Sequence, residues 1–344
     1  MSLTPREIEV LQNIVDAYIQ HASPLGSRFV AKRSSLNLSP ASIRNIMADL
    51  TEKGYLTQPH TSAGRVPTEQ AFRYYVDSLL QTDNPPESLR HVVQDYLSQA
   101  GEDLSGVLEK TSRMISDQSR LVGMAVAPQS SSVRWKHIDF VLVRPGLAMA
   151  ILVFEGGMVQ HKLLEVGENT TSQDLEKYRN VLNERFLGQS LYQVKQTILR
   201  EMESARSEFN KLYYSALNLA REACQEEEGE RQIFVEGTLN VWDQLDPKDL
   251  ESMRDLLGFL EHRSDLLKIL EQIIQAQGLT IVFGSQIAGR DLSDWCIISS
   301  PYGIHNRPLG LVGTIGPVHM DYSRTVPLVD YTAKMLNQIL ESRV

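Results

Sequence analysis

The stretch "SPASIRN" gathers Ser39, Ala41, Ser42, Arg44 and Asn45 around one apparent helix start. Serine hydroxyls and the free N–H groups of a helix N-terminus suit phosphate oxygens. Asparagine can pair bidentately with adenine and arginine with guanine, while alanine lets a helix approach another surface closely. A second group follows in "QPHTSAGRVPT". There His60, Thr61, Ser62 and the backbone around Gly64 offer donors to phosphate, and Arg65 could reach a phosphate or a minor groove. Gly64 is expected to allow a backbone conformation that other residues resist. These types point to nucleic acid. Taken alone, the first group also fits an ordinary solvated helix face, and the second a plain turn.

Other chemistry finds little support. The chain has no G-x-x-x-x-G-K-[ST], H-E-x-x-H or G-x-S-x-G pattern. The eight histidines are scattered, and His161, His305 and His319 read as structural residues in or near strands. Glu165, Asp321 and Asp330 have no visible acid–base partner. Cys224 and Cys296 fit neither a metal nor a redox spacing and read as thiols of a reducing cytosol. The expectation is a protein that is not an enzyme, with no metal and no cofactor.

The elements that must position the two groups are legible. Thr4-Pro5-Arg6-Glu7 is a capping-box start, and Ile8, Leu11, Ile14, Val15 and Tyr18 recur at helical spacing behind it. Ser27 is expected to cap a short second helix. Ser39 caps a third, which carries Ile43, Ile46, Met47 and Leu50 inward and ends at Gly54. "YLTQ" and "RVP" are expected to pair as a small ribbon around the loop, and Thr68 to cap a fourth helix. That order is a winged helix-turn-helix, with the third helix reading DNA and the loop at the tip of the wing.

Charge agrees with this placement. Seven basic side chains face three acidic ones between Arg28 and Arg73, although the whole chain of 344 residues carries −9. That local excess of four leaves −13 for the remainder, which suits one surface kept for a polyanion and, by charge alone, equally an ordinary solvated face. Beyond a polar break at 81–88 come helical patterns, then antiparallel strand signals from 121. A block of helices, further strands and a last helix complete the chain. The fold class is multi-domain α+β with a helical insertion. Long amphipathic stretches such as "YSALNLAREACQ" fit intramolecular core packing by default, and their place in an insertion beside a DNA reader that gains from two-fold symmetry also suits a homodimer interface. No apolar run approaches a membrane span, and the start lacks a signal core, so a cytoplasmic protein without a membrane partner is expected.

"SPASIRNIMADLTEKGYLTQPHTSAGRVPT" followed by "FRYYVD" closely resembles the HrcA family of bacterial heat-inducible transcription repressors. "FVEGTLNV" and "VGTIGPVHMDYSRTVPLVDY" look like the same family. The resemblance implies a winged-helix DNA-binding domain at 1–82, a helical linker at 83–120 and a GAF-like α/β domain at 121–190 and 278–344. It also implies an inserted, mainly helical dimerisation domain at 191–277. It further implies a homodimer on double-stranded operator DNA, the inverted-repeat CIRCE element of chaperone operons. Its activity would be maintained by the GroE-type chaperonin and lost on heat shock. A competing reading is a metabolite-sensing regulator with a pocket in the GAF-like domain. A third, a hydrolase with a DNA-binding appendage, lacks convergent catalytic groups.

Overall fold

The structure is a computed structural model describing residues 3–35, 38–60, 63–79, 85–98, 101, 103–129, 133–204, 211–224, 231–241, 250–275, 278–287, 292–305 and 307–343. Helix α1 (Pro5–His21) opens with the expected reciprocal cap. Thr4 Oγ1 accepts the Glu7 N–H at 3.3 Å, and the Glu7 carboxylate accepts the Thr4 N–H at 2.7 Å. Its stripe of Val10, Leu11, Ile14 and Val15 is fully buried. In α2 (Ser27–Arg33) Gly26, rather than Ser27, holds the N-cap position. Ser39 caps α3 (Pro40–Glu52) by accepting the Ser42 N–H at 3.1 Å, and Gly54 follows it with a φ of 82°.

Strand β1 (Leu56–Thr57) pairs antiparallel with β2 (Val66–Pro67), so the expected ribbon forms. Helix α4 (Glu69–Tyr74) comes next and runs into a π turn at Tyr75–Leu79. Thr68 does not cap α4 with its side chain. Its hydroxyl donates to the Gly54 carbonyl at 2.7 Å, tying the foot of the ribbon to the end of α3.

Helices α5 (Glu87–Ser98) and α6 (Leu104–Ser119) lead into β3 (Val122–Val126). Strands β4 (Trp135–Arg144), β5 (Leu147–Phe154) and β6 (Val159–Glu165) then form a three-stranded antiparallel sheet of their own. Helices α7 (Ser172–Phe186), α8 (Leu191–Ser204) and α9 (Lys211–Cys224) follow, with α7 packed on β4 and α9 on β6. The alternation along β5 is strict. Ala148, Ala150, Leu152 and Phe154 are buried, whereas Leu147, Met149, Ile151 and Val153 turn outward and are only half-buried.

A second sheet has the order β7 (Ile233–Glu236), β3, β10 (Arg307–Pro317), β9 (Trp295–Ile304), β8 (Thr280–Phe283), antiparallel throughout. Helices α6 and α12 (Tyr322–Ser342) pack on this sheet, and Cys296, Ile298 and Tyr302 of β9 share a core with α12. A separate core joins Val122, Met124 and Ile297 to α10 (Leu250–Glu261) and α11 (Arg263–Ile274). Strands within 121–190 are therefore divided between two sheets. The span 191–277 contributes β7 and two covering helices to the five-stranded one. Strand pairing groups the chain differently from the boundaries expected from sequence.

Strand β8 covers β9 only from Cys296 to Ser299. Beyond it, the Gly303 N–H donates to Asn337 Oδ1 at 2.7 Å and the His305 N–H to Glu341 Oε1 at 3.1 Å. Pro301 has no N–H to offer. The N-terminal helices sit on this second unit through an aromatic seam. Tyr18 meets His319 edge-on at 6.0 Å, Phe72 meets Tyr322 at 6.2 Å, and the Arg73 guanidinium lies 5.2 Å from the Phe283 ring centre. Among the described residues no helix is long and apolar enough to cross a membrane.

Candidate nucleic-acid interface

Helix α3 has the two faces its sequence implies. Ile43, Met47 and Leu50 are buried, while Ala41, Arg44, Asn45 and Ala48 are exposed. Arg44 and Asn45 make no side-chain hydrogen bond or ion pair to any described residue, so their donors face solvent. At the N-terminal end Ser39 is exposed, and its hydroxyl lies 3.0 Å from that of Ser42. Of the first-turn N–H groups Pro40 has none and that of Ser42 is taken by Ser39 Oγ, which leaves the Ala41 N–H beside these oxygens, and the helix dipole favours an anion there. The face is small, neutral or cationic, with a side chain able to read an adenine edge beside one able to read guanine.

The loop is held more tightly than its composition suggests. The Ala63 N–H donates to the His60 carbonyl at 2.8 Å, and Gln58 Nε2 donates to the Ala63 carbonyl at 3.0 Å. His60 is exposed at this turn. Thr61 and Ser62 lie outside the described residues. Gly64 is required for a different reason from the one expected. Its φ is not positive, but a β-carbon there would stand 2.4 Å from the Leu25 carbonyl carbon and oxygen. Close approach of two backbones, not a left-handed conformation, demands glycine.

Arg65 is placed at the base of the loop and not at its tip. Its backbone exchanges two hydrogen bonds with Leu25, at 2.8 and 2.9 Å. Its Nε donates to Thr51 Oγ1 on α3 at 3.1 Å. Arg65 thus fixes the angle between ribbon and helix. Lys53, at the C-terminal end of α3, is tied to α1 by a 2.7 Å ion pair with the buried Glu7. The Lys53 ammonium, helped by the Thr4 N–H, holds the Glu7 carboxyl below its ordinary value.

Two further cations were counted in the charge but not singled out by sequence. Arg28 and Lys32 are exposed on α2, which packs against α3. Their i,i+4 spacing was the signal available. Arg33, by contrast, is engaged, donating to Gln20 at 3.2 Å and lying over the Phe29 ring. Arg28, Lys32 and Arg44 form no ion pair with a described acid, so the basic excess is available to an external anion. Among the described residues no group of three or more His, Cys, Asp and Glu side chains could hold a metal ion.

Comparison with known proteins extends this picture over the whole chain. The family described as HrcA protein C terminal domain matches residues 105–326. The heat-inducible transcription repressor HrcA of Nitratidesulfovibrio vulgaris (strain DSM 19637 / Miyazaki F) is 40% identical over 345 residues, covering 99% of this chain and 97% of that protein. The protein of the same name from Geobacter sulfurreducens is 39% identical over 339 residues and covers 98% of each. A solved structure, described as a hypothetical protein at 2.2 Å resolution, shares the fold. Its TM-score is 0.69 at 22% identity, over the full length of both chains.

Proposed function

The chain belongs to the HrcA family, and from that membership we propose that it is a transcription repressor of heat-shock genes that binds operator DNA. Helices α1 to α3 and the β1–β2 ribbon act as a winged helix-turn-helix, with α3 in the major groove and the 58–64 loop beside it as the wing. Ser39, Ser42 and the α3 N-terminus meet phosphates, while Arg44 and Asn45 read bases. Ala41 allows the close approach, and His60 and the backbone near Gly64 contact the adjoining phosphates. Thr61, Ser62 and Arg65 remain proposed members of the DNA-facing set, Arg65 chiefly as the brace of the wing. The observation that carries this reading is the pair Arg44 and Asn45, exposed and unengaged on a helix whose opposite face is fully buried.

The protein works as a homodimer on the inverted-repeat CIRCE element, one half-site per protomer, in the cytoplasm. The GroE-type chaperonin maintains the active form, and heat shock removes it. The five-stranded sheet with its helices is a GAF-like unit, and β4–β6 with α7–α9 is the inserted unit. The test is binding of the purified chain to an inverted-repeat operator and to scrambled DNA across a salt series, with and without chaperonin. The expected result is a specific complex that needs both half-sites, on the order of a thousandfold tighter than scrambled DNA, with steep salt dependence. Equal affinity for the two DNAs would sink the repressor reading.

A second reading has one observation behind it. A groove of about 630 Å³ runs between α12 and the free edge of β9, lined by Ser300, Arg307, Asp330, Lys334 and Asn337 among others. A regulator sensing a small polar ligand there would melt higher with that ligand and change its operator affinity.

A further inference from the structure

The groove between α12 and β9 has a polar wall whose groups are unequally used. It holds about 630 Å³, the size of a small-molecule site. Ser300 lines it, on the face of β9 shared with Ile298 and Tyr302. The residue is only 4% exposed, yet its hydroxyl makes no hydrogen bond to a described residue. Asn337 lines the groove from α12. Its Oδ1 accepts the Gly303 N–H at 2.7 Å, which fixes the amide, while its Nδ2 donates to no described residue. The Pro301 and Gly303 carbonyls lie on the edge of β9 that β8 leaves uncovered, because a strand residue points its C=O the same way as its N–H.

Resting on the ligand-sensing reading above, we propose that this groove binds an uncharged small molecule by a flat amide-like edge, an N–H donor beside an acceptor. Asn337 and Gly303 supply the complement. One hydrogen bond ties the Asn337 oxygen to the Gly303 N–H, so the Asn337 Nδ2 donor and the Gly303 carbonyl are held close together. Ser300 Oγ can donate or accept and completes the set. Polar groups left unpaired in a sheltered site cost free energy, so this wall favours a molecule that satisfies all three.

Two other kinds of ligand fit less well. The charges bordering the groove are already matched, Lys334 with Asp330 at 2.6 Å and Arg307 with Glu155 at 3.4 Å, while Glu341 accepts the His305 N–H at 3.1 Å. An ion would find no spare counter-charge there. An extended peptide needs alternating donors and acceptors along a strand edge. This edge offers acceptors alone, since Pro301 has no N–H and those of Gly303 and His305 are spent. The amide-like edge is common to amino-bearing nucleobases and to carboxamides.

Calorimetry and thermal melting of the full chain with adenosine and, separately, with nicotinamide test this. Purine riboside, which lacks the amine, and nicotinate, which carries a charge in place of the amide N–H, are the controls. Saturable binding of adenosine assigns a nucleobase and of nicotinamide a carboxamide. The matching control should bind about tenfold more weakly, the worth of one hydrogen bond. Asn337→Asp keeps the acceptor for the Gly303 N–H but removes the Nδ2 donor, and should weaken binding about tenfold. Ser300→Ala should weaken it similarly while leaving the melting temperature of the free chain unchanged, because the hydroxyl has no partner to lose. Binding of neither probe, equal binding of probe and control, or binding indifferent to both substitutions would overturn the site. Binding that responds to both substitutions but leaves operator affinity unchanged would keep the site and end the sensing reading alone.

Discussion

A β-carbon on residue 64 would collide with the Leu25 backbone, because the two chains run 2.8–2.9 Å apart through their hydrogen bonds. Gly64→Ala is therefore expected to cost about 1–3 kcal/mol of stability, read as a lower midpoint in thermal unfolding. It should weaken operator binding further by swinging the ribbon away from α3. Glu7 carries a separate prediction. Its carboxyl is depressed by Lys53 and Thr4, so its contribution is complete above the ordinary carboxylate value and is lost as pH falls through the lowered one. Lys53→Met should destabilise the chain by about 1–2 kcal/mol near neutral pH, since it strands a buried carboxylate. The gap from wild type should shrink in urea titrations repeated at progressively acid pH. An unchanged gap would mean that the ion pair contributes nothing.

At the scale of the element, α3 is a scaffold for two unengaged side chains. Arg44→Ala with Asn45→Ala should lower operator affinity by roughly 2–6 kcal/mol, from two bidentate contacts, and affinity for scrambled DNA much less. Fluorescence anisotropy on both DNAs decides this, and an unchanged specificity ratio would remove α3 from the groove. The helix was legible because Ile43, Met47 and Leu50 recur at its period and Ser39-Pro40 marks its start. The ribbon was legible because two short apolar pieces flank turn residues. Strand β7, only Ile233–Glu236 in a span read as mainly helical, left too short a pattern. Neither could alternation along β4–β6 reveal that these strands form their own sheet, because pairing is a long-range choice. The hydroxyls of Thr68 and Thr51 illustrate the same limit. Thr68 donates to the Gly54 carbonyl fourteen positions back, and Thr51, whose own proton goes locally to the Met47 carbonyl, accepts from Arg65 of another element; local capping rules address neither of these distant partners.

For the whole molecule, the aromatic seam at Tyr18, Phe72, Tyr322 and His319 makes the N-terminal helices and the five-stranded unit neighbours in one core. Beneath it lies Cys296, fully buried, whose thiol is pushed up to about 12 by desolvation. Thiol labelling should therefore be slow in the native protein and should accelerate with the unfolding transition. Fast labelling at a temperature where circular dichroism is still native would show that the core opens locally. The free edge of β9 has a consequence of another kind. Pro301, Asn337 and Glu341 silence the N–H groups that an incoming strand would need. A repressor that is expected to lose its shape during heat stress, at high local concentrations of unfolding neighbours, passes through states in which an open strand edge would template fibrous aggregates. Asn337→Ala should therefore leave more turbidity after a heating and cooling cycle and recover less soluble protein. The C-terminal helix would then set how much soluble chain is recovered after heating.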